Sequence, residues 1–306
     1  ELAAIRNERS RDRDDASRRT LDEPGVAIGS VEQVSRYRDA SAYSHAHGGL
    51  ALLIMRDGEI VFEQYAEGYT RDSAFQVASS TKSFWGPLAA IAVDEGLFAF
   101  DDRVSDVLTE WKDNPRKSRI TVRHLLSFSS GLEAPRRLWA DSKTDKVALA
   151  LTQPAVHEPG AVFAYSEIHL YAFRAYLERR LRASDRHREF DTAFSYLKAR
   201  VLDPLGIEIT RWKTEADGTP AIGDGAVMTA GHFAKFGELL RRRGMWGDER
   251  LVSVAALSEV FANSTGNQAY GLTWWLNEPS EDSSRSADRA GSRARRSTER
   301  VSEDGI

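Results

Sequence analysis

The sequence predicts a mixed α/β chain of the α+β kind, with strands toward both ends and a helical middle. Three observations predict it. Two apolar runs, Gly49 to Met55 and Ile60 to Tyr65, flank Arg56-Asp57-Gly58-Glu59. Asp-Gly between such runs is a strong hairpin signal. From Asp141 to about Arg182 apolar residues recur mainly at helical spacing. Tyr270-Gly271-Leu272-Thr273-Trp274-Trp275-Leu276-Asn277 is rich in aromatics and reads as a strand.

The elements follow in order. Residues 1–24 are mostly Arg, Asp, Glu and Ser and are expected to form a solvated lead-in. The hairpin comes next. Phe75 to Gly86 contains Ser79 and Lys82, and the apolar run Pro87 to Val93 after it reads as a buried helix that Gly96 ends. Thr121 to Leu126 is a short helix closed by Ser129-Ser130-Gly131-Leu132. Glu158-Pro159-Gly160 must be a turn. Helices are expected over Ile168 to Leu181, Phe194 to Val201, Thr229 to Leu240 and Val254 to Phe261, with a loop at Gly223-Asp224-Gly225.

Composition removes several function classes. The 306 residues suffice for one large domain or two interleaved ones. A net charge of −4 offers no basic surface to nucleic acid. The absence of cysteine excludes thiol catalysis and disulfides, and fits an oxidising compartment. No apolar run approaches the roughly 20 residues of a membrane span. The seven histidines form no metal-binding pair, and there is no Gly-rich phosphate loop, so neither metal nor cofactor is expected. The chain starts at Glu1 rather than Met, which leaves room for a signal peptide upstream.

The chemistry concentrates at Ser79-Ser80-Thr81-Lys82. On a helix, Ser79 and Lys82 lie one turn apart on the same face. A serine hydroxyl needs a neighbouring base or cation to act as a nucleophile, and this spacing supplies a lysine together with the positive end of a helix dipole. A second match, Ser195-Tyr196-Leu197-Lys198, lies inside a helical stretch with no hairpin before it. It reads as ordinary helix.

Ala78-Ser79-Ser80-Thr81-Lys82-Ser83 after a hairpin resembles the active-site segment of the β-lactamase-related serine hydrolases, in the class C β-lactamase, D,D-peptidase and esterase branch. Further segments resemble that family's landmarks in the same order: Asp101 to Val104, Thr121 to Leu132, Glu158 to Ser166, Gly225 to Ala230 and Tyr270 to Trp275. The resemblance covers about residues 48–277. It implies an antiparallel sheet flanked by helices, taking strands from both chain ends, with an all-helical domain inserted. On this chain the domain would run over 25–277, the sheet part over about 48–98 and 225–277, and the helical part over about 99–224.

The resemblance also implies roles. Ser79 would attack an acyl carbonyl of a small ester, amide or peptide and form an acyl-enzyme, and Lys82 would assist by charge or as a base. Tyr165 would stand for the family's Tyr-x-Asn tyrosine. A phenol titrates near 10 and needs nearby cations to reach working pH. Where the family has Asn, this chain has Glu167, a substrate-side carboxylate expected to pair with Lys82, hold it protonated and repel anionic substrates. These features favour esterase or peptidase action over β-lactamase action. The family's third motif, Lys/His-Thr/Ser-Gly on an edge strand, has no counterpart after Trp275. Ser264-Thr265-Gly266 and His47-Gly48-Gly49 fall in the wrong places. Without that strand the second oxyanion donor is missing, so a degenerate homologue that only binds acyl or peptide ligands is the competing reading. Secretion or a periplasmic location is implied by the resemblance alone.

Beyond Asn277 the composition changes abruptly. Residues 278–306 hold six arginines, seven acids and seven serines, and Val301 and Ile306 are the only aliphatics larger than alanine. Two readings stand, a polar tail or a frameshift that replaces the missing strands. The other two frames of the coding DNA decide between them.

Overall fold

The computed structural model describes residues 26–141 and 143–277. The expected lead-in over 1–24 and the tail over 278–306 lie outside the described residues. Helices and antiparallel sheets share one apolar core that includes Trp85, Trp111, Tyr171, Phe128 and Phe173.

The hairpin forms as the sequence dictates. Strand β2 (Ala51–Arg56) pairs with β3 (Glu59–Tyr65), and Arg56 faces Glu59 across the turn. Asp57 and Gly58 both adopt left-handed φ, +54° and +87°, the two-residue turn whose twist matches that of the strands. A bulge between Ile54 and Met55 leaves Val61 without a partner on β2. On the other side the Val61 carbonyl accepts the Ile28 N–H at 2.7 Å, next to the short strand β1 (Val26–Ala27). The sheet order is β1-β3-β2.

Helix α1 (Val31–Ala46) lies before the hairpin, in a stretch to which the sequence reading gave no element. Its signal is a capping box. Ser30 Oγ accepts the Gln33 N–H at 3.2 Å and Gln33 Oε1 accepts the Ser30 N–H at 3.0 Å. Its residues are so polar that Ser41 alone is buried, and no apolar stripe advertises it.

A second sheet of order β4-β6-β5 joins distant parts of the chain: β4 (Ala74–Gln76), β6 (Ala226–Thr229) and β5 (Arg211–Trp212). Strand β5 sits within the stretch expected to be helical. After β4 a 3₁₀ helix over Ala78–Phe84 passes into α2 (Trp85–Asp94). Pro87 has no N–H to give the Ser83 carbonyl, and the Trp274 indole N–H takes that acceptor at 3.1 Å. The helical half carries α3 (Val122–Leu126), α4 (Lys146–Thr152), α5 (Ile168–Ala183) and α6 (Ala193–Leu197), which continues as a π turn over Lys198–Leu202. Helix α7 (Ala230–Arg241), a small hairpin of β7 (Met245–Trp246) and β8 (Glu249–Arg250), and α8 (Val254–Val260) complete the described chain.

The expected strand over Tyr270 to Asn277 is absent; a tight reversal takes its place. Tyr270 bridges Trp275, the Gly271 N–H donates to the Trp274 carbonyl at 2.8 Å, and Thr273 takes a left-handed φ of +65°. The segment satisfies its donors on helices instead of a sheet. Leu272 N–H donates to Val260 O and Thr273 N–H to Leu126 O, both at 2.8 Å. Gly86 permits this docking, because a Cβ there would lie 2.2 Å from the Leu272 carbonyl oxygen. Strong β-propensity marked a half-buried aromatic surface rather than a strand. No described helix is long and apolar enough to cross a membrane.

Candidate active site

The end of β4 delivers Ser79. Val77 N–H still bonds the β6 residue Ala226 at 3.0 Å, and Ala78 then turns to a left-handed φ of +44°. A non-glycine residue held there costs about 1–3 kcal/mol. The bend starts the helix at once, leaving Ser79 exposed in its first turn while Lys82 is 3% exposed. First-turn N–H groups have no acceptor within their own helix, so the Ser79 amide is available to a ligand.

Lys82 occupies a cage of acceptors. Its Nζ lies 3.2 Å from Ser79 Oγ, 3.3 Å from Glu167 Oε1 and 2.5 Å from the Gly223 carbonyl oxygen. The cage is built by the loop between β5 and β6. Trp85, one turn after Lys82, donates its indole N–H to the Ile222 carbonyl at 2.6 Å, and Thr81 Oγ1 accepts the Ala226 N–H at 3.3 Å. Gly223 must lack a side chain: a Cβ there would stand 2.4 Å from Cδ and Oε1 of Glu167.

Glu167 is the residue before α5 and does not cap its own helix. Its carboxylate turns to Lys82 instead. Burial pushes this carboxyl up, the Lys82 ammonium pulls it back, and Asp224 adds repulsion. Two of the three Lys82 acceptors, Glu167 and Gly223 O, can only accept. The remaining position on Nζ therefore lies on the Ser79 axis, where the hydroxyl can accept from an ammonium or donate to an amine.

Tyr165 faces the same space, with Lys82 Nζ 5.4 Å from its ring centroid, within cation–π range. Its ring meets Phe128 edge-on at 5.5 Å and stacks with the exposed Trp275 at 5.8 Å. The preceding residue is clamped: Ala164 N–H donates to Phe128 O at 2.8 Å, and its carbonyl accepts from His169 Nε2 at 2.9 Å. That bond leaves His169 Nδ1 as the acceptor for Ser130 Oγ–H at 2.8 Å. Full burial pushes the imidazole down to about 4, so it is neutral at working pH.

Ser79, Lys82, Tyr165 and Glu167, the four residues singled out from sequence, line one cavity of about 480 Å³. Gln76, Asp224 and the segment Ala134 to Leu138 complete its wall. Sequence reasoning missed the Gly223 carbonyl, the Ser130–His169 brace and the arginines of the 134–138 segment. Gly-Asp-Gly had signalled only a turn, and His169 only a lone histidine. Ser264-Thr265-Gly266 and His47-Gly48-Gly49 do not line the cavity. The second Ser-x-x-Lys is ordinary helix, with Ser195 bonded to Thr192 and Lys198 to Asp203. Among the described residues, no group of three or more His, Asp or Glu is arranged to hold a metal ion.

By fold the chain stands with penicillin-binding-protein homologues and related hydrolases. It is similar to a penicillin-binding protein homologue from Caulobacter crescentus, with a TM-score of 0.62 and 18% identity over 82% of this chain and 83% of that one. A family VIII carboxylesterase gives 0.62 and 18% over 82% and 79%. The octameric penicillin-binding protein homologue from Pyrococcus abyssi gives 0.58 and 21% over 78% and 64%. The Beta-lactamase family model matches residues 24–296, and the chain belongs to that family. A curated relative, an uncharacterized protein of Alkalihalophilus pseudofirmus, is 33% identical over 94 residues, 28% of this chain. The chain covers 27% of that relative's length.

Proposed function

We propose that the protein is a metal-independent serine hydrolase that forms an acyl-enzyme at Ser79 on small esters or amides. The observation that carries this reading is the 3.2 Å contact between Lys82 Nζ and Ser79 Oγ at the wall of an open cavity. Ser79 Oγ attacks the acyl carbon. With Lys82 held as an ammonium by Glu167, its third N–H steadies the developing alkoxide, and Tyr165, entering as a phenolate beside that ammonium, takes the serine proton and as the phenol hands it to the leaving alcohol or amine. Water then cleaves the acyl ester by the reverse proton path. The Ser79 N–H supplies one oxyanion donor, a contribution of about 3–4 kcal/mol in other enzymes. Esterase or peptidase action is preferred to β-lactamase action, since the described residues carry no strand with a Lys/His-Thr/Ser-Gly motif. The lack of cysteine and the family resemblance favour a periplasmic or secreted location.

One observation favours a second reading. Among the described residues no strand carries a Lys/His-Thr/Ser-Gly motif, so the second oxyanion donor has no candidate. A degenerate homologue that binds acyl or peptide ligands without turnover would look the same. The wild type and Ser79→Ala, assayed on p-nitrophenyl esters and a chromogenic cephalosporin, separate the two. Turnover lost in Ser79→Ala supports the hydrolase. Turnover that survives the substitution refutes the nucleophile, and none in the wild type supports the binder.

A further inference from the structure

The cavity has two walls of different charge. On the inner wall each carboxylate is matched by a cation: Glu167 by Lys82 at 3.3 Å, and Asp224 by Lys213 at 3.6 Å. The outer wall is the segment Ala134 to Leu138, which brings Arg136 and Arg137 to the cavity. Arg137 holds a left-handed φ of +58°. The next residue, Leu138, is buried at 6% exposure and opens a 3₁₀ turn over Leu138–Ala140. The bend and the buried leucine anchor the segment and leave both guanidinium-bearing residues exposed beside the cavity.

Several arginines among the described residues are committed to carboxylates of other elements, among them Arg116, Arg123, Arg174, Arg179 and Arg200. Arg136 has no ion-pair partner among the described residues. The inner wall is balanced, so the charge of Arg136 stands uncompensated at the cavity that Ser79 also lines. A guanidinium fork matches a carboxylate in two parallel hydrogen bonds. A volume of about 480 Å³ accepts a small acyl compound with room for an acidic arm.

We propose that Arg136 anchors a carboxylate of the acyl substrate, so that the site selects anionic substrates, monoesters or monoamides of dicarboxylic acids. The proposal rests on the serine-hydrolase reading for its kinetic arm and on binding alone for its second arm. It also reverses the simple expectation from sequence that Glu167 would repel anions: paired with Lys82, that carboxylate is electrostatically spent.

The kinetic arm compares kcat/KM for the mono-p-nitrophenyl ester of glutaric acid with that for p-nitrophenyl valerate, a neutral ester of similar length. In the wild type the ratio should favour the charged ester and fall as salt is raised. In Arg136→Ala the ratio should drop roughly 10- to 100-fold, the span expected for a lost hydrogen bond to a charged group, mainly through KM. Arg136→Lys should recover part of it. The binding arm titrates glutarate by calorimetry, with Kd expected to weaken at least about tenfold in Arg136→Ala. An unchanged ratio, or glutarate that binds both proteins alike or the wild type not at all, overturns the anchor. Absence of turnover on both esters with glutarate binding intact and Arg136-dependent refutes the hydrolase reading and leaves the anchor standing.

Discussion

Replacing Gly223 by alanine tests the lysine cage most sharply. The added Cβ would lie 2.4 Å from Cδ and Oε1 of Glu167 and 2.5 Å from its Cγ. Ordinary contact begins near 3.4 Å, so something must move by about 1 Å. Glu167 is 7% exposed and has little room to swing. If Glu167 yields, the buried pair with Lys82 breaks, at a cost of about 3–5 kcal/mol. If the loop yields, the 2.5 Å bond from Lys82 to Gly223 O and the 2.6 Å bond from Trp85 to Ile222 O lengthen. Losing one charge-assisted and one neutral bond costs about 3 kcal/mol. Either route predicts about 3 kcal/mol of lost stability in urea melts. Misplacing Lys82 relative to Ser79 by a comparable distance predicts roughly a 10²-fold lower acylation rate. Gly237→Ala serves as the control. It lies in α7 with nothing within 4 Å of its added Cβ, and should stabilise the protein by about 1 kcal/mol. A Gly223→Ala protein as stable and as active as the wild type would refute the cage.

The remaining predictions follow from buried polar groups. His169 is neutral in the fold and titrates near 4 there, against about 6.5 in the unfolded chain. The unfolded state therefore binds the extra proton between these values, and stability should fall by about 3 kcal/mol as pH drops from 6.5 to 4. His169→Gln, measured by urea melts across that range, should flatten that slope; an unchanged slope would clear His169 of the effect. Lys146 and Glu215 form a buried pair at 2.7 Å, with Tyr171 donating to the same carboxylate at 2.7 Å. Glu215→Gln should cost about 3–5 kcal/mol, and Lys146→Met with Glu215→Leu should restore most of it. Thermal melts of the three proteins check this, and a harmless Glu215→Gln would contradict it. Trp274→Phe leaves the Ser83 carbonyl without its donor and should cost about 1–3 kcal/mol, read in the same melts; a neutral effect would show that the carbonyl finds another partner.

Local chemistry was legible and distant contact was not. Asp57-Gly58 specified a turn that needs nothing beyond its neighbours, and the hairpin followed. Ser79 and Lys82 came together because three residues span one helical turn. Tyr165 and Glu167 were visible only through the ordered landmarks around Pro159-Gly160, because nothing in their own spacing points to Lys82. The Gly223 carbonyl could not be read at all: it reaches Lys82 across 141 positions of chain, and a backbone acceptor has no residue type to betray it. Tyr270 to Asn277 failed for the opposite reason. Its aromatic content was read as strand propensity, yet the segment docks on Gly86 and α8, with Tyr270 buried and Trp275 left exposed. Helix α1 was overlooked because its evidence is a cap, Ser30 with Gln33, and not an apolar face. Arg136 carries no signal in the sequence, and the fold places it beside the cavity with no ion-pair partner among the described residues.

The central claim is that Ser79 carries the acyl group. Intact-protein mass spectrometry during turnover of p-nitrophenyl acetate, followed by peptide mapping, tests it directly. The claim predicts one acetyl adduct on the peptide holding Ser79, formed with a burst of p-nitrophenol and absent from Ser79→Ala. An adduct on another residue, or one that persists in Ser79→Ala, would contradict it.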